Sequence, residues 1–337
     1  MRTGCAAAAV MIWLFGLFAL APPAQAADSA VVLLYHRFDD DRVAALNTTS
    51  DQLASHIDEL RSGGFTVLPL PEITHALREG RRLPDKTVAI TVDDASYGFY
   101  SRAWPLLRAA GLPVTLFVAT DEIDHGGETL GWSQLRELRA EGVTIGSLGA
   151  ARLRFPRVGV EAAAADLGRA QSRFVQELGT APDLFAWPGG EADAISIALV
   201  RQAGFLAAFG QHSGALWRGF NPYYLPRFIM IGAHGELDRF RLVVRSLPLP
   251  AVDLTPTDPV VRVNPPAFGF TLAEEIPGIA ALSCYASHEG QVRVEQLGPR
   301  IEVRMTKPIP PGRARLNCTL PTLDGRWRWF GWQFATP

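Results

Sequence analysis

The sequence has little cysteine, no excess of either charge and only one long apolar run. Three cysteines occur in 337 residues, and neither a CxxC pair nor a neighbouring histidine cluster accompanies them, so a cysteine-based zinc site is not expected. The formal net charge is −2. Binding to nucleic acid requires a basic surface that this balance does not supply, and we expect no nucleic-acid partner.

The long apolar run lies at the N-terminus. Arg2 precedes an apolar stretch over 5–21, and Ala24, Gln25 and Ala26 follow it. This order predicts a signal peptide over residues 1–26 and export to the periplasm or the extracellular space. An uncleaved membrane anchor is the alternative. No later segment is long and apolar enough to span a bilayer, so no membrane span is expected after cleavage.

Signal cleavage removes Cys5 and leaves an even pair of cysteines. Cys284 and Cys318 would then be the cysteines of an exported protein. An oxidising compartment favours a disulfide between them.

Short apolar runs alternate with amphipathic stretches over residues 27–247. This alternation predicts parallel strands connected by helices, and about seven repeats favour a TIM-like barrel over an open sheet. Active sites of such barrels lie at the carboxyl ends of the strands. The predicted strands are Val31–Tyr35, Thr66–Leu68, Val88–Val92, Val114–Ala119, Val143–Ile145, Leu184–Trp187 and Phe205–Phe209.

The composition changes after residue 247. Residues 248–259 contain four prolines, and we interpret this segment as a linker. Residues 260–337 contain short alternating runs separated by turn residues, a pattern typical of a small all-β sandwich. Trp327, Trp329 and Trp332 in the last run form either a sugar-stacking face or part of the core or of a domain interface.

Two adjacent carboxylates follow one of the buried strands. Asp93 and Asp94 end the run VAITVDD, and alternation along a strand lets the two side chains serve different partners. Such a pair can bind a metal and take a proton, but either residue could also cap the helix that begins near Tyr97.

Three segments carry a resemblance to a known family. Residues 31–38 (VVLLYHRF), 91–95 (TVDDA) and 185–191 (FAWPGGE) resemble the landmarks of the polysaccharide deacetylases, the NodB-homology or carbohydrate esterase family four. The resemblance implies an irregular (β/α)7 barrel. It also implies removal of N-acetyl, or sometimes O-acetyl, groups from glycans such as chitin, peptidoglycan or poly-N-acetylglucosamine.

By this resemblance Asp93 is the catalytic base and Asp94 is a ligand of a divalent metal, usually zinc. The two remaining ligands of the family are histidines that should follow the segment 143–147. Here Leu148 and Arg152 occupy their positions. Leucine has no lone pair and arginine stays protonated, so we expect no cofactor unless other residues supply the ligands. Arg152 could instead pair with Asp94 as a counter-ion.

Four further residues complete the predicted site. By resemblance His212 is the general acid, and Trp187 shapes a substrate groove in which its indole could stack on a sugar. His36 is a metal ligand, a substrate contact or a rim residue. Arg227 either orients an acid such as Asp93 or forms a surface salt bridge.

The sequence therefore predicts an exported glycan deacetylase-family protein with a degenerate metal site. Three functions stay open: a deacetylase with weak or altered activity, a non-catalytic glycan-binding or assembly protein, and a metal-free hydrolase that uses Asp93, His212 and Arg152.

Overall fold

The computed structural model describes residues 26–336. The predicted signal peptide, apart from its last residue, lies outside this part of the chain. Within the described residues, no helix has both the length and the apolar character needed to cross a membrane.

A curled, mainly parallel sheet forms the N-terminal part of the molecule. Its buried strands are rich in valine, leucine and isoleucine, as expected where helices cover a parallel sheet. Among the described residues its parallel strands follow the spatial order Ala207–Phe209, Leu184–Ala186, Thr144–Ser147, Val114–Val118, Thr87–Asp93, Ser29–Tyr35 and Phe228–Ile229. Thr66–Val67 pairs with the start of Thr87–Asp93, and Leu216–Trp217 runs antiparallel to Ser29–Tyr35.

Amphipathic helices connect these strands and pack on the sheet. Thr49 and Gln52 form a capping box at the start of the first helix, and Gly179 ends the longest helix in the left-handed conformation that glycine favours. The helices are Ser50–Ser62, Leu70–Arg78, Trp104–Ala109, Trp132–Ala140, Val160–Leu178, Ala194–Gln202 and Leu237–Val244. The predicted mixed α/β fold is confirmed.

One extended segment joins the two edges of the curled sheet. Leu225 exchanges hydrogen bonds with strand Ala207–Phe209 and its following residue, and Met230 donates to Leu34 O at 2.8 Å. The segment therefore passes from the last strand of the sheet back to the first. Sequence analysis did not predict its strand Phe228–Ile229, because two residues carry no usable periodicity.

The C-terminal part is a second sheet that folds back on itself. Phe268 packs on Phe330 and Phe334, whose strand is not its neighbour in the hydrogen-bonded order. The predicted Cys284–Cys318 disulfide joins directly paired residues of two adjacent strands. The strands follow the order Leu247–Pro248, Trp327–Thr336, Gly312–Pro321, Ser283–Ala286, Gly290–Leu297, Arg300–Arg304, Phe268–Leu272 and Ala251–Thr255.

The segment 248–259 differs from the expected free linker. Its residues Ala251–Thr255 form an edge strand that pairs with Phe268–Leu272. Proline-rich composition concealed this strand, because proline is tolerated at edges and strand ends.

The two parts of the molecule are packed together. Trp329 contacts the ring of Phe228 edge-on, with centroids 5.2 Å apart. Gly331 lies so close to the backbone of Ser213 that an added Cβ would collide with Ser213 O. The strand Trp327–Thr336 thus docks directly on the segment that closes the curled sheet.

Candidate functional site

Asp93 is the last residue of a central strand and is almost completely buried. Both of its carboxylate oxygens accept hydrogen bonds from Arg227, at 2.7 and 2.9 Å. Arg227 also donates to Thr91 and to Gly210 O, and its guanidinium lies over the ring of Phe117. A buried charge needs such a fully hydrogen-bonded partner. Of the two alternatives for Arg227, a surface salt bridge is excluded, since its side chain is buried and its ion pair with Asp93 is internal.

Asp94 leaves the strand with φ of 66°, which turns its carboxylate away from that of Asp93. Its Oδ2 lies 3.4 Å from Nδ1 of His36, and its Oδ1 lies 2.6 Å from Nη2 of Arg152. Burial alone would raise the pKa of Asp94. The hydrogen bond from His36 and the positive charges around it outweigh burial and hold that pKa below its ordinary value.

The loop after strand Thr144–Ser147 determines where Leu148 and Arg152 lie. Leu148 is buried in an apolar cluster, whereas Arg152 points to the rim, where Glu122 is 3.8 Å away. Asp166, on the longest helix, accepts hydrogen bonds from the backbone N–H groups of Ala150 and Ala151. These bonds fix the loop that directs Arg152 onto Asp94.

The residues present do not fit the metal site that the resemblance implies. His36 and Asp94 are close, but the guanidinium of Arg152 occupies one side of the Asp94 carboxylate. Within residues 26–336, no group of three or more His, Cys, Asp or Glu side chains is arranged to hold a metal ion. A fixed positive charge at this distance opposes a cation, and a catalytic zinc normally has three protein ligands.

His212 lies away from the acid pair, although its main chain is close to it. Its carbonyl accepts a hydrogen bond from the N–H of Arg227, while its imidazole packs on Tyr224 with centroids 4.5 Å apart. No hydrogen bond joins the imidazole to Asp93 or Asp94 in the described part of the chain. Burial, with the charges of Arg315 and Arg227, lowers the pKa of His212 to about 3. In this arrangement the imidazole is not poised as a general acid for the acid pair.

His212 also borders a cavity at the junction of the two sheets. The cavity measures about 270 Å³, and its walls include Tyr224, Phe330 and Trp332 from both parts of the chain.

Trp187 is completely buried. Its indole contacts Phe155 and Phe185 edge-on, and its Nε1 donates to Tyr223 O at 2.9 Å. Neither face of the ring is available to a sugar. The structure therefore places Trp187 in the core beneath the loop that carries Arg152, not in an open groove.

Comparison with known proteins shows which family the region around the acid pair resembles. Residues 80–208 match the family model described as polysaccharide deacetylase. The chain carries a polysaccharide deacetylase domain. The strand that bears Asp93 and the loop that bears Arg152 both lie inside the matched region.

Curated relatives of this deacetylase domain come from several bacteria. It is 21% identical to the putative polysaccharide deacetylase YxkH of Bacillus subtilis over 58% of this chain and 69% of that protein. It is 23% identical to the poly-β-1,6-N-acetyl-D-glucosamine N-deacetylase of Escherichia coli K12, over 55% of this chain. The match spans only 34% of the Escherichia coli protein.

Solved structures share the fold of the deacetylase domain. The Streptococcus pyogenes deacetylase PplD in complex with acetate has a TM-score of 0.60 at 16% identity, over 64% of this chain and 98% of that chain. IcaB from Ammonifex degensii has a TM-score of 0.58 at 23% identity, over 65% of this chain and 97% of that chain.

Sequence reasoning missed some residues that shape the site. Asp166 lies in the middle of an amphipathic helix, where a single acid gives no signal of a buried role. Glu122 lies at the rim, and burial raises its pKa despite the nearby charge of Arg152. Only the strand order, which brings the loops after Val114–Val118 and Thr144–Ser147 together, reveals these partners.

Proposed function

We propose that this protein binds bacterial glycans that contain N-acetylglucosamine and does not carry out conventional metal-dependent deacetylation. The observation that carries the proposal is the 2.6 Å ion pair between Arg152 and Asp94. The guanidinium neutralises the carboxylate that would otherwise hold the metal. It supplies charge balance but no coordination site for a water molecule or an acetyl oxygen.

The proposal also covers the fold of the chain and its location. The curled sheet corresponds to the irregular (β/α)7 barrel of the family, over residues 27–247, followed by a sandwich over 260–337. The predicted signal peptide would send the protein to the periplasm or beyond the cell, where such glycans occur. His36, beside Asp94, is the candidate contact for a glycan at the rim.

A metal-free hydrolase is the second candidate. The Arg152 side chain is 32% exposed while it contacts the buried acid pair. A cation in that position could stabilise an oxyanion that develops when water attacks an acetyl group. Asp93 would take the proton of the attacking water, but both of its oxygens are already hydrogen-bonded to Arg227. Because Arg227 already occupies both oxygens of Asp93, hydrolysis is less favoured than binding.

Acetate release and glycan binding, measured together, separate the candidates. The purified mature protein is incubated with oligomers of β-1,6-linked N-acetylglucosamine, with and without a chelator, and binding is followed by calorimetry. The proposal predicts binding without acetate release. Chelator-resistant acetate release that is lost in Arg152→Ala, but not in the exposed control Arg293→Ala, would favour the metal-free hydrolase. Chelator-sensitive release would overturn the proposal.

A further inference from the structure

A second group of charged side chains includes two arginines from the loop that carries Arg152. Glu191, the last residue of the segment FAWPGGE, is buried and forms ion pairs with three arginines. Arg157 Nε lies 2.9 Å from its Oε2, and Arg154 Nη1 and Arg313 Nε lie 3.4 and 3.6 Å from its Oε1. Arg154 and Arg157 come from the loop after Arg152, and Arg313 comes from the C-terminal sheet. We call Arg154, Arg157 and Arg313 the arginine cluster.

The arginine cluster has more positive charge than its partner can balance. Three guanidinium groups surround one carboxylate, and Glu191 is the only acid within ion-pair distance of them among the described residues. All three side chains remain accessible, with exposures of 48%, 42% and 38%. A structural ion pair needs only one of them.

A fourth arginine adds to this excess. Arg315 lies two residues after Arg313 on the same face of its strand. It contacts Gln333 and has no ion pair within residues 26–336. Burial and the charge of Arg313 lower the pKa of Arg315. The protein thus concentrates positive charge here although its overall charge is −2.

The arginine cluster is held in place from both sides. Phe155, between Arg154 and Arg157 in sequence, is buried against Phe185 and Trp187. Arg313 donates to Gly189 O at 2.8 Å, which ties the C-terminal sheet to the same segment. A preorganised guanidinium loses little freedom when it binds, and its planar fork matches a carboxylate.

We infer that the arginine cluster binds a carboxylate group of the glycan, so that the ligand is an acidic N-acetylated polysaccharide. This inference rests on the proposed function and specifies its ligand class. Arg154 follows Arg152 by two residues, so the loop that carries Arg152 to Asp94 also supplies Arg154 to the arginine cluster.

Two matched hexasaccharides test the inference. Hyaluronan hexasaccharide alternates N-acetylglucosamine with a carboxylate-bearing sugar, and chitohexaose contains N-acetylglucosamine alone. Calorimetry on the full mature chain should give affinity at least about tenfold higher for the hyaluronan oligomer at low salt, a preference that weakens as salt rises. The double variant Arg154→Gln, Arg313→Gln should lose this preference, and the exposed control Arg293→Gln should keep it.

A second variant changes affinity in the opposite direction, which loss of folding cannot imitate. Glu191→Gln removes the carboxylate that the arginine cluster surrounds and should tighten binding of the hyaluronan oligomer. Equal affinity for both hexasaccharides, or binding of the β-1,6-linked N-acetylglucosamine oligomer without binding of either hexasaccharide, would overturn the inference and leave the proposed function intact. Binding of none of the three oligomers would overturn both. Single-stranded DNA that bound as tightly as hyaluronan, through the same arginines, would overturn the assignment to a glycan.

Discussion

By the family resemblance, Arg152 stands where the polysaccharide deacetylases have a metal-binding histidine, and its guanidinium contacts the carboxylate that would share the metal. The neighbouring acid has a separate partner, since Asp93 is bound by Arg227 through two hydrogen bonds. Each member of the acid pair thus has its own arginine. Because both acids are buried, removing either arginine would leave an uncompensated charge.

Substitution of Arg152 tests this charge balance through stability. Arg152→Ala removes the 2.6 Å ion pair of Asp94 and leaves its 3.4 Å contact to His36. We expect the free energy of unfolding to fall by about 1–3 kcal/mol, less than for a fully buried pair because Arg152 is partly exposed. The control Arg293→Ala, at an exposed pair with Glu295, should change it by less than about 0.5 kcal/mol. Equal effects in urea unfolding would contradict the pairing.

The lowered pKa of His212 predicts that the free energy of unfolding depends on pH. Its folded pKa of about 3 lies below the ordinary value near 6.5. The unfolded chain therefore binds more protons between these values, and the residue's stabilising contribution is lost as pH falls through that window. His212→Phe should reduce the loss of stability between pH 7 and pH 4. The neighbouring control Tyr224→Phe should keep the wild-type pH slope, and an unchanged slope in His212→Phe would exclude a buried neutral imidazole.

The loop that follows strand Thr144–Ser147 is the element in which the sequence departs from the histidine motif that the resemblance implies. Asp166 accepts hydrogen bonds from two of its backbone N–H groups, and the N–H groups of Thr120 and Asp121 donate to its Gly149 and Ala150 carbonyls. The loop is therefore held both by the helix Val160–Leu178 and by the loop that follows strand Val114–Val118. Its rigidity keeps Arg152 on Asp94.

Loss of Asp166 should release this loop. Asp166→Ala leaves two N–H groups without their acceptor, and we expect a loss of about 2–3 kcal/mol in unfolding free energy. Hydrogen exchange at Ala150 and Ala151 should accelerate. Asp193→Ala, which removes a helix N-cap elsewhere, should cost about 1 kcal/mol and leave exchange at those two amides unchanged. Unaltered exchange in Asp166→Ala would show that the loop is held by other contacts.

At the scale of the whole molecule, the C-terminal sheet is part of the same packed structure as the deacetylase domain. The close approach of Gly331 to Ser213 O permits this packing. Gly331→Ala should therefore destabilise the protein by about 1–3 kcal/mol, because the added methyl group forces the two parts to separate. Gly168→Ala, in a helix where nothing lies near the added carbon, should be neutral or stabilising. Calorimetric unfolding of both variants provides the comparison, and equal behaviour would contradict tight docking.

Much of this architecture could be predicted from the sequence, because long buried strands and capped helices leave strong local patterns. The acid pair and the loss of the histidines are also visible in the sequence. The partners of Asp94 needed the strand order, and the burial of Trp187 needed the packing of Phe155 and Phe185 around it. The edge strand Ala251–Thr255 was hidden because proline-rich composition is shared by linkers and sheet edges.

Metal content of the purified mature protein tests the central claim most directly. Elemental analysis and zinc titration should show no stoichiometric zinc in the wild type, because Arg152 occupies the side of Asp94 that a cation would need. The double variant Leu148→His, Arg152→His restores the ligands of the family and should bind about one zinc per chain. One tightly bound zinc in the wild type, lost in Asp94→Asn, would contradict the account.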